Sequence, residues 1–481
     1  MMGDLILEAE YLALLEAEDY YRAEKNLAHF IRAAWHVLEP QTQYLHNWHI
    51  DAMAEYLEAV ELGQIKRLMI NVPPRYMKSI AVSVCYPAWV WLRNPAQRFI
   101  CGSFAEDLST KHSVDRRKII QSEWYRRAWG DRFHLEDDQN QKTEFSNNHR
   151  GHMIATSVGS SAIGRGGNRL IFDDPLNPKE AMSDLKREAA NAWVDNLSTR
   201  LDDKKNGAII GVMQRLHEKD PAGHLQAKEK WEILSLPAEA TEKTIIVFPI
   251  SKKKVTREAG QILWPEREGK PELEMMKISL GSAAYQAQYQ QDPRPQEGGF
   301  FKRHWWRFWN ELPMDRHMRV QFWDCADKPG VSNDLSVCAT WDWGPKGYHL
   351  VDYWEGKVAF PELEAAAKNL FAQHQPNAIV IEDKAAGIQL IQNLRVATEA
   401  KYPVIPYNPG KKDKVVRAAG AAPTVEAGNC FLPSNRPWVE LFISRHEKFP
   451  NSDYLDPIDT TSMMVDFFKT RGVAEPRVRR A

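Results

Sequence analysis

Between Leu68 and about Leu236 the chain keeps one rhythm, in which apolar strand-like runs alternate with helical patterns: RLMINV, SIAVSVCYPAWVWL, RFICGSF, HMIATSV, RLIFDD and GAIIGVM. That alternation predicts an α/β domain with a largely parallel sheet, which takes its ligands at the carboxyl ends of the strands. Near residues 290–300 the sequence QQDPRPQEGG breaks every period and reads as a linker. Beyond it, past the aromatic cluster HWWRFW, come the strand-like runs MRVQFWDCA, LSVCATWDW and GYHLVDYW, a helical stretch from Glu362 to His374, the strand-like AIVIEDK and a further helical stretch. Strands joined by short turns and then β–α units suit a mixed sheet. The organisation expected is therefore a first domain over residues 1–295 with a helical N-terminal segment, a linker at 296–305, a second domain at 306–470 and a basic tail at 471–481.

Length and composition change this picture little. A chain of 481 residues exceeds one compact core, and 43% hydrophobic with 26% charged residues is a globular composition. Sixty-three Lys and Arg against 64 Asp and Glu leave a charge of −1, so contact with a polyanion has to come from local patches. The five cysteines are scattered, with no CxxC pair, and read as buried thiols in a reducing cytosol. The first residues alternate Leu and acids at helical spacing, without the basic-then-apolar order of a signal peptide, and no run of 18 apolar residues could span a membrane.

Two sets of residues carry chemistry. Asn71-Val72-Pro73-Pro74-Arg75-Tyr76-Met77-Lys78-Ser79 follows an apolar strand and precedes an apolar helix, the context of a phosphate-binding loop; Val72 and Met77 stand where the loop's two glycines would be. Arg169-Leu170-Ile171-Phe172-Asp173-Asp174 is an apolar strand ending in two acids, of which Asp173 is assigned to Mg²⁺ beside the Ser79 hydroxyl and Asp174 to the attacking water. Arg165, among glycines in Gly164–Gly167, is the candidate arginine finger toward a neighbour's nucleotide. In the C-terminal half, Asp324 lies in the first strand, Glu382 ends AIVIED, and Asp456 and Asp459 open the last helical segment three apart, on one helix face. Two-metal phosphodiester cleavage needs several carboxylates brought from separate strands.

In this order, PPRYMKS, LIFDDP and IIGVMQRLHEKDPAGHL resemble the large terminase subunits of tailed bacteriophages, and the likeness runs over most of the chain. It implies an ASCE-type P-loop ATPase followed by an RNase H-like nuclease: a motor that hydrolyses ATP to drive double-stranded DNA into a procapsid and cuts the concatemer. ATP and Mg²⁺ would be its cofactors, with Mn²⁺ possible at the nuclease site. The partners implied are DNA, a small terminase subunit, a portal protein and further copies of the chain in a ring, all in the host cytoplasm without a membrane.

By the same resemblance Arg75 and Lys78 sense phosphates, Gln214 and Arg215 couple hydrolysis to movement, and Trp48 and His49 lie near the adenine. Asp324, Glu382 and Asp456 do the cutting, with Asp459 or Asp453 completing the metal site and Asp334 auxiliary; Asp327 and Asp383 are close enough to be confused with true ligands. In the family's late DD-x-x-D pattern Leu455 replaces the first acid. Lys411, Lys412, Lys414 and Arg417 match a basic segment beside the nuclease strands and would neutralise DNA phosphates. Trp305, Trp306 and Trp309 are expected to pack between the domains rather than to stack on DNA. Two rivals remain: a helicase or translocase with nuclease activity in repair or defence, and, since the loop lacks both glycines, an inactive ATPase that only scaffolds an assembly.

Overall fold

The computed structural model describes residues 2–160, 165–294, 299–326, 335–398, 401–410, 413–451 and 455–470, without the side chains of 2–10 and 138–139. It divides into two compact units, residues 1–274 with 283–295, and residues 275–282 with 296–481. The division is thus not the single cut near 295 that the linker suggested. Residues 275–282 join the second unit, where the Ser282 amide donates to Glu426 Oε2 at 2.9 Å.

In the first unit the helices Met2–Lys25, Leu27–Leu38 and Trp48–Glu61 precede the sheet. Asn26 and Asn47 cap the second and third, their side chains accepting from the amides of His29 and Trp48 and satisfying donors that a helix start leaves free. The strands are β1 (Arg67–Asn71), β2 (Phe99–Ser103), β3 (Leu135–Asn140), β4 (Glu144–Asn147), β5 (His152–Ser157), β6 (Arg169–Asp173), β7 (Ala208–Met213) and β8 (Glu232–Ser235), in the order β3-β4-β5-β2-β6-β7-β1-β8. All pairings from β5 to β8 are parallel; β3 and β4 extend the edge antiparallel. A separate hairpin, β9 (Thr244–Val247) with β10 (Lys254–Arg257), has exposed faces.

Period-two alternation sends Leu68, Ile70, Ile171, Ile210 and Val212 into one core, and Met69, Leu170, Phe172, Ile209 and Met213 into another on the opposite face. Both faces are covered, the first by Met53 and Leu57 of the Trp48–Glu61 helix, the second by Val194, Leu197 and Leu225. This explains the unbroken apolar runs in the sequence. Each such side chain contributes roughly 1.5–3 kcal/mol on burial. SIAVSVCYPAWVWL is the buried helix after the phosphate loop, with a π-helical start at Ile80–Cys85 and an α-helical continuation at Tyr86–Arg93 that admits Pro87 in its first turn.

The second unit holds β11 (Arg307–Trp309), β12 (Met318–Asp324), β13 (Ser336–Gly344), β14 (Gly347–Gly356), β15 (Ala378–Glu382), β16 (Val404–Tyr407) and β17 (Cys430–Pro433), in the order β11-β17-β14-β13-β12-β15-β16. β12, β13 and β14 form an antiparallel meander flanked by parallel pairs on both sides, a mixed sheet. Trp323, Ile379 and Ile381 face the helices Phe360–His374 and Ala385–Val396. Phe322 turns the other way, onto Phe467 and Phe468 of the Asp456–Thr470 helix, at 5.6 and 6.1 Å between ring centroids. By the same alternation Asp324 and Glu382 emerge on the face of that last helix.

Trp306 does not wait for another domain. It is 3% exposed and packs on Phe301, Phe442 and His446 inside the second unit's own core, while Trp309 is half-buried with its Nε1 donating to Leu350 O at 3.2 Å. No helix among the described residues is long and apolar enough to cross a membrane.

Candidate active sites

In the first unit the sheet register aligns the chemistry. Asp173 at the end of β6 lies opposite Ser103 of β2 and Val212 of β7, and Asn71 at the end of β1 lies opposite Met213. The loop leaving β1, the two acids and Gln214 therefore meet at one edge, the carboxyl ends of the parallel strands. The loop is bound to β7 by the Val72 amide donating to Met213 O at 3.3 Å. Arg75 and Met77 both have φ of 67°, the left-handed region. Met77 thus adopts the conformation that a glycine at its position would supply freely, whereas Val72 does not.

Ser79 Oγ donates to Asp173 Oδ1 at 3.0 Å, Ser83 Oγ donates to Oδ2 at 2.6 Å, and His112 Nδ1 stands 3.6 Å from the same oxygen. Burial lowers the His112 basicity, so that the ring is a neutral neighbour. Arg116 donates twice to Ser83 O, at 3.0 and 2.7 Å. Asp174 makes the other half of the site: its carboxylate pairs with Lys78 Nζ at 2.9 Å and accepts from the Gln214 amide at 3.1 Å. Burial raises its carboxyl above the ordinary range, Lys78 opposes this, and the adjoining Asp173 adds to it.

A hydroxyl and a carboxylate are hard oxygen ligands of the kind Mg²⁺ takes, so Ser79 and Asp173 fit that ion. Ser83 and His112 escaped the sequence reading. Ser83, one helical turn beyond Ser79, had a signal in its spacing; His112, on the Glu106–Gln121 helix, had none.

Other expected residues sit elsewhere. His49 is fully buried, its Nε2 3.2 Å from Tyr76 O and its ring between Tyr76 and Trp264 at 5.9 and 4.9 Å. It props the phosphate loop from behind rather than facing a base, with Trp48 half-buried beside it. Tyr76 and Pro73 are buried, Pro74 is half-buried and Arg75 is exposed. Arg165 precedes β6, at the opposite end of that strand from Asp173, and pairs with Glu144 at 3.0 Å; within its own chain it does not meet the site. The Arg215 Nε lies 3.1 and 3.0 Å from the Asp220 oxygens, and its amide donates to Gln291 Oε1 at 3.0 Å.

In the second unit Asp324, Asp456 and Asp459 converge from β12 and the first turn of the last helix, each offering a carboxylate oxygen within 4.8 Å of the others. Asp324 Oδ2 is buried without a hydrogen-bond partner. Burial and the neighbouring Asp459 and Asp456 raise the Asp324 carboxyl well above its ordinary range, and burial likewise raises Asp459 against the pull of Lys414 and Arg417. An orphaned oxygen in a crowd of like charges is a site that asks for a cation, and three carboxylates fit a divalent metal.

Lys414 Nζ lies 2.6 Å from Asp459, 2.9 Å from Asp456 and 4.0 Å from Asp324. Glu382 stands beside this group, 3.1 Å from Lys384 and 3.7 Å from Arg417. Arg417, expected on DNA, has only 6% of its side chain exposed and pairs with Asp459 at 2.8 Å; it balances the acids inside the domain. Asp383 follows the strand, exposed. Lys411, Lys412, Asp327, Asp334 and Asp453 lie outside the described residues.

Residues 321–466 match the family model of the terminase RNaseH-like domain. This part of the chain is a terminase RNase H-like domain. The whole chain has the large-terminase fold: two crystal forms of the large terminase from a thermophilic bacteriophage superpose with TM-scores of 0.53 and 0.51 at 11% identity, each covering 89% of this chain and 100% of the other. No curated protein sequence matches it. The acids gathered from β12 and the last helix all fall within the terminase domain's matched span.

Proposed function

We propose that this chain is the motor subunit of a phage DNA-packaging machine, hydrolysing ATP in its first unit and cutting DNA with bound metal in its second. The observation that carries the proposal is the convergence of Asp324, Asp456 and Asp459 in a terminase RNase H-like domain, on a chain that also pairs a phosphate loop with Asp173 and Asp174.

In the ATPase, Ser79 and Asp173 hold Mg²⁺, backbone amides of residues 73–79 bind phosphate oxygens, and Lys78 leaves Asp174 to neutralise them. Asp174, so released, orients the attacking water, and the Gln214 amide keeps its carboxylate in place. In the nuclease, Asp324, Asp456 and Asp459 hold the metal, with Glu382 poised beside them. Bound metal supplies Lewis-acid activation of the phosphate and of a water nucleophile. Duplex DNA is the cargo; a small terminase subunit, a portal and a ring of copies are the partners this function requires.

Incubating the protein with supercoiled plasmid, Mn²⁺ and ATP tests both halves. Wild type is expected to nick and linearise DNA; Asp324→Ala keeps phosphate release but not cleavage, and Lys78→Ala loses hydrolysis by roughly two orders of magnitude while still cutting. Hydrolysis without Asp324-dependent cleavage would overturn the nuclease and favour a translocase; no hydrolysis in wild type would favour a scaffold.

A further inference from the structure

Lys414 is the first residue of the helix Lys414–Glu426, whose N-cap is Asp413. The amino end of a helix carries partial positive charge, so a lysine there is locally unfavourable by up to about 1 kcal/mol. It is held by acids from elsewhere. Two cations three apart on this helix, Lys414 and Arg417, oppose two acids three apart on the last one, Asp456 and Asp459. The two cations differ in freedom: Arg417 is enclosed, whereas the Lys414 side chain is 38% exposed. A compact ammonium on a four-carbon stem can leave by that opening, which a buried guanidinium cannot.

We propose that Lys414 is a resident cation of the nuclease site, occupying the place between Asp324, Asp456 and Asp459 that a divalent metal takes and yielding it when the metal binds. The inference rests on the nuclease reading above. Its geometric basis is that the oxygens nearest Lys414 Nζ, on Asp459 and Asp456, belong to the same three carboxylates that lie close enough together to share an ion. Two positive charges cannot share that space, so ammonium and metal exclude one another. In the metal-free protein Lys414 keeps the acids assembled against their mutual repulsion. Displaced, it stands at the rim of the site with its charge free for a DNA phosphate, which reconciles its expected DNA contact with its observed position.

The test is made on the full chain with Mn²⁺ alone, without DNA or nucleotide. Acetylation of Lys414 in the wild type, followed by mass spectrometry, should quicken several-fold when Mn²⁺ is added, while other lysines stay constant. Lys414→Gln should melt at lower temperature without metal and bind Mn²⁺ ~10-fold more tightly by calorimetry, about 1.4 kcal/mol. Should Mn²⁺ bind while Lys414 labelling stays unchanged, or should Lys414→Gln bind it no better, the inference falls and the nuclease reading survives. If neither protein binds Mn²⁺, the nuclease reading itself fails. The labelling arm needs no variant and so does not depend on Lys414→Gln folding.

Discussion

His446 sits fully buried, with Nδ1 2.8 Å from Phe442 O, Nε2 3.0 Å from Thr461 Oγ1 and the Phe301, Trp306 and Phe442 rings around it, and burial lowers its basicity to about 4. A histidine that resists protonation only when folded costs nothing above its unfolded value near 6.5; as pH falls from there toward 4 the unfolded chain takes up the proton first, and stability drains away. On the order of 2 kcal/mol should be lost from the second unit between pH 7.5 and 5 through this ring. Urea unfolding at the two pH values should show that loss in wild type and a smaller one in His446→Gln; equal losses would refute it. Single residues were unevenly legible in the sequence. Asp324, Glu382 and Asp173 announced themselves because strand ends project chemistry toward one edge of a sheet. His112 and the enclosure of Arg417 depend on helices packed from a distance, and no local pattern records that.

The phosphate loop is the element in which local preference and structure disagree most. Arg75 is exposed yet holds φ at 67°, a conformation that crowds any Cβ against the following carbonyl. Arg75→Gly and Arg75→Ala both remove the guanidinium, but only Ala keeps the Cβ. The glycine variant should therefore be more stable by about 1 kcal/mol, with nucleotide affinity reduced alike in both. Thermal unfolding and binding of a non-hydrolysable ATP analogue measure this; Ala equal to or above Gly would mean that the left-handed turn is not formed. Strands buried on two faces were readable as elements because their apolar runs are continuous. β3, β4, β8, β16 and β17 were missed: they are short, or polar like Leu135–Asn140, and hold their places through partners already in the sheet.

At the scale of the molecule, two units with separate cores each carry one ligand site, and ligand binding stabilises only what it touches. Ligand at about 100 times its Kd adds about 2.7 kcal/mol to the unit that binds it. Calorimetry should show two transitions, one raised by Mg²⁺ with an ATP analogue and the other by Mn²⁺; chelation should reverse both shifts, and Asp324→Ala should abolish the second alone. One transition answering to both ligands would show that the cores melt together. The two-domain plan was visible from the change of rhythm past residue 300, but the assignment of residues 275–282 to the second unit depends on tertiary contacts such as that of Ser282 with Glu426.

The first unit also contains a mechanical linkage. Asp174 is fastened to β7 at two points, by its amide to Val212 O at 2.9 Å and by its carboxylate to the Gln214 amide at 3.1 Å. A body pinned twice to one neighbour cannot slide past it; it can only turn it. Whatever draws Lys78 off Asp174 thus exerts a torque on the end of β7, where the Arg215–Asp220 pair passes it to the head of the Pro221–Lys228 helix, which Asp220 caps.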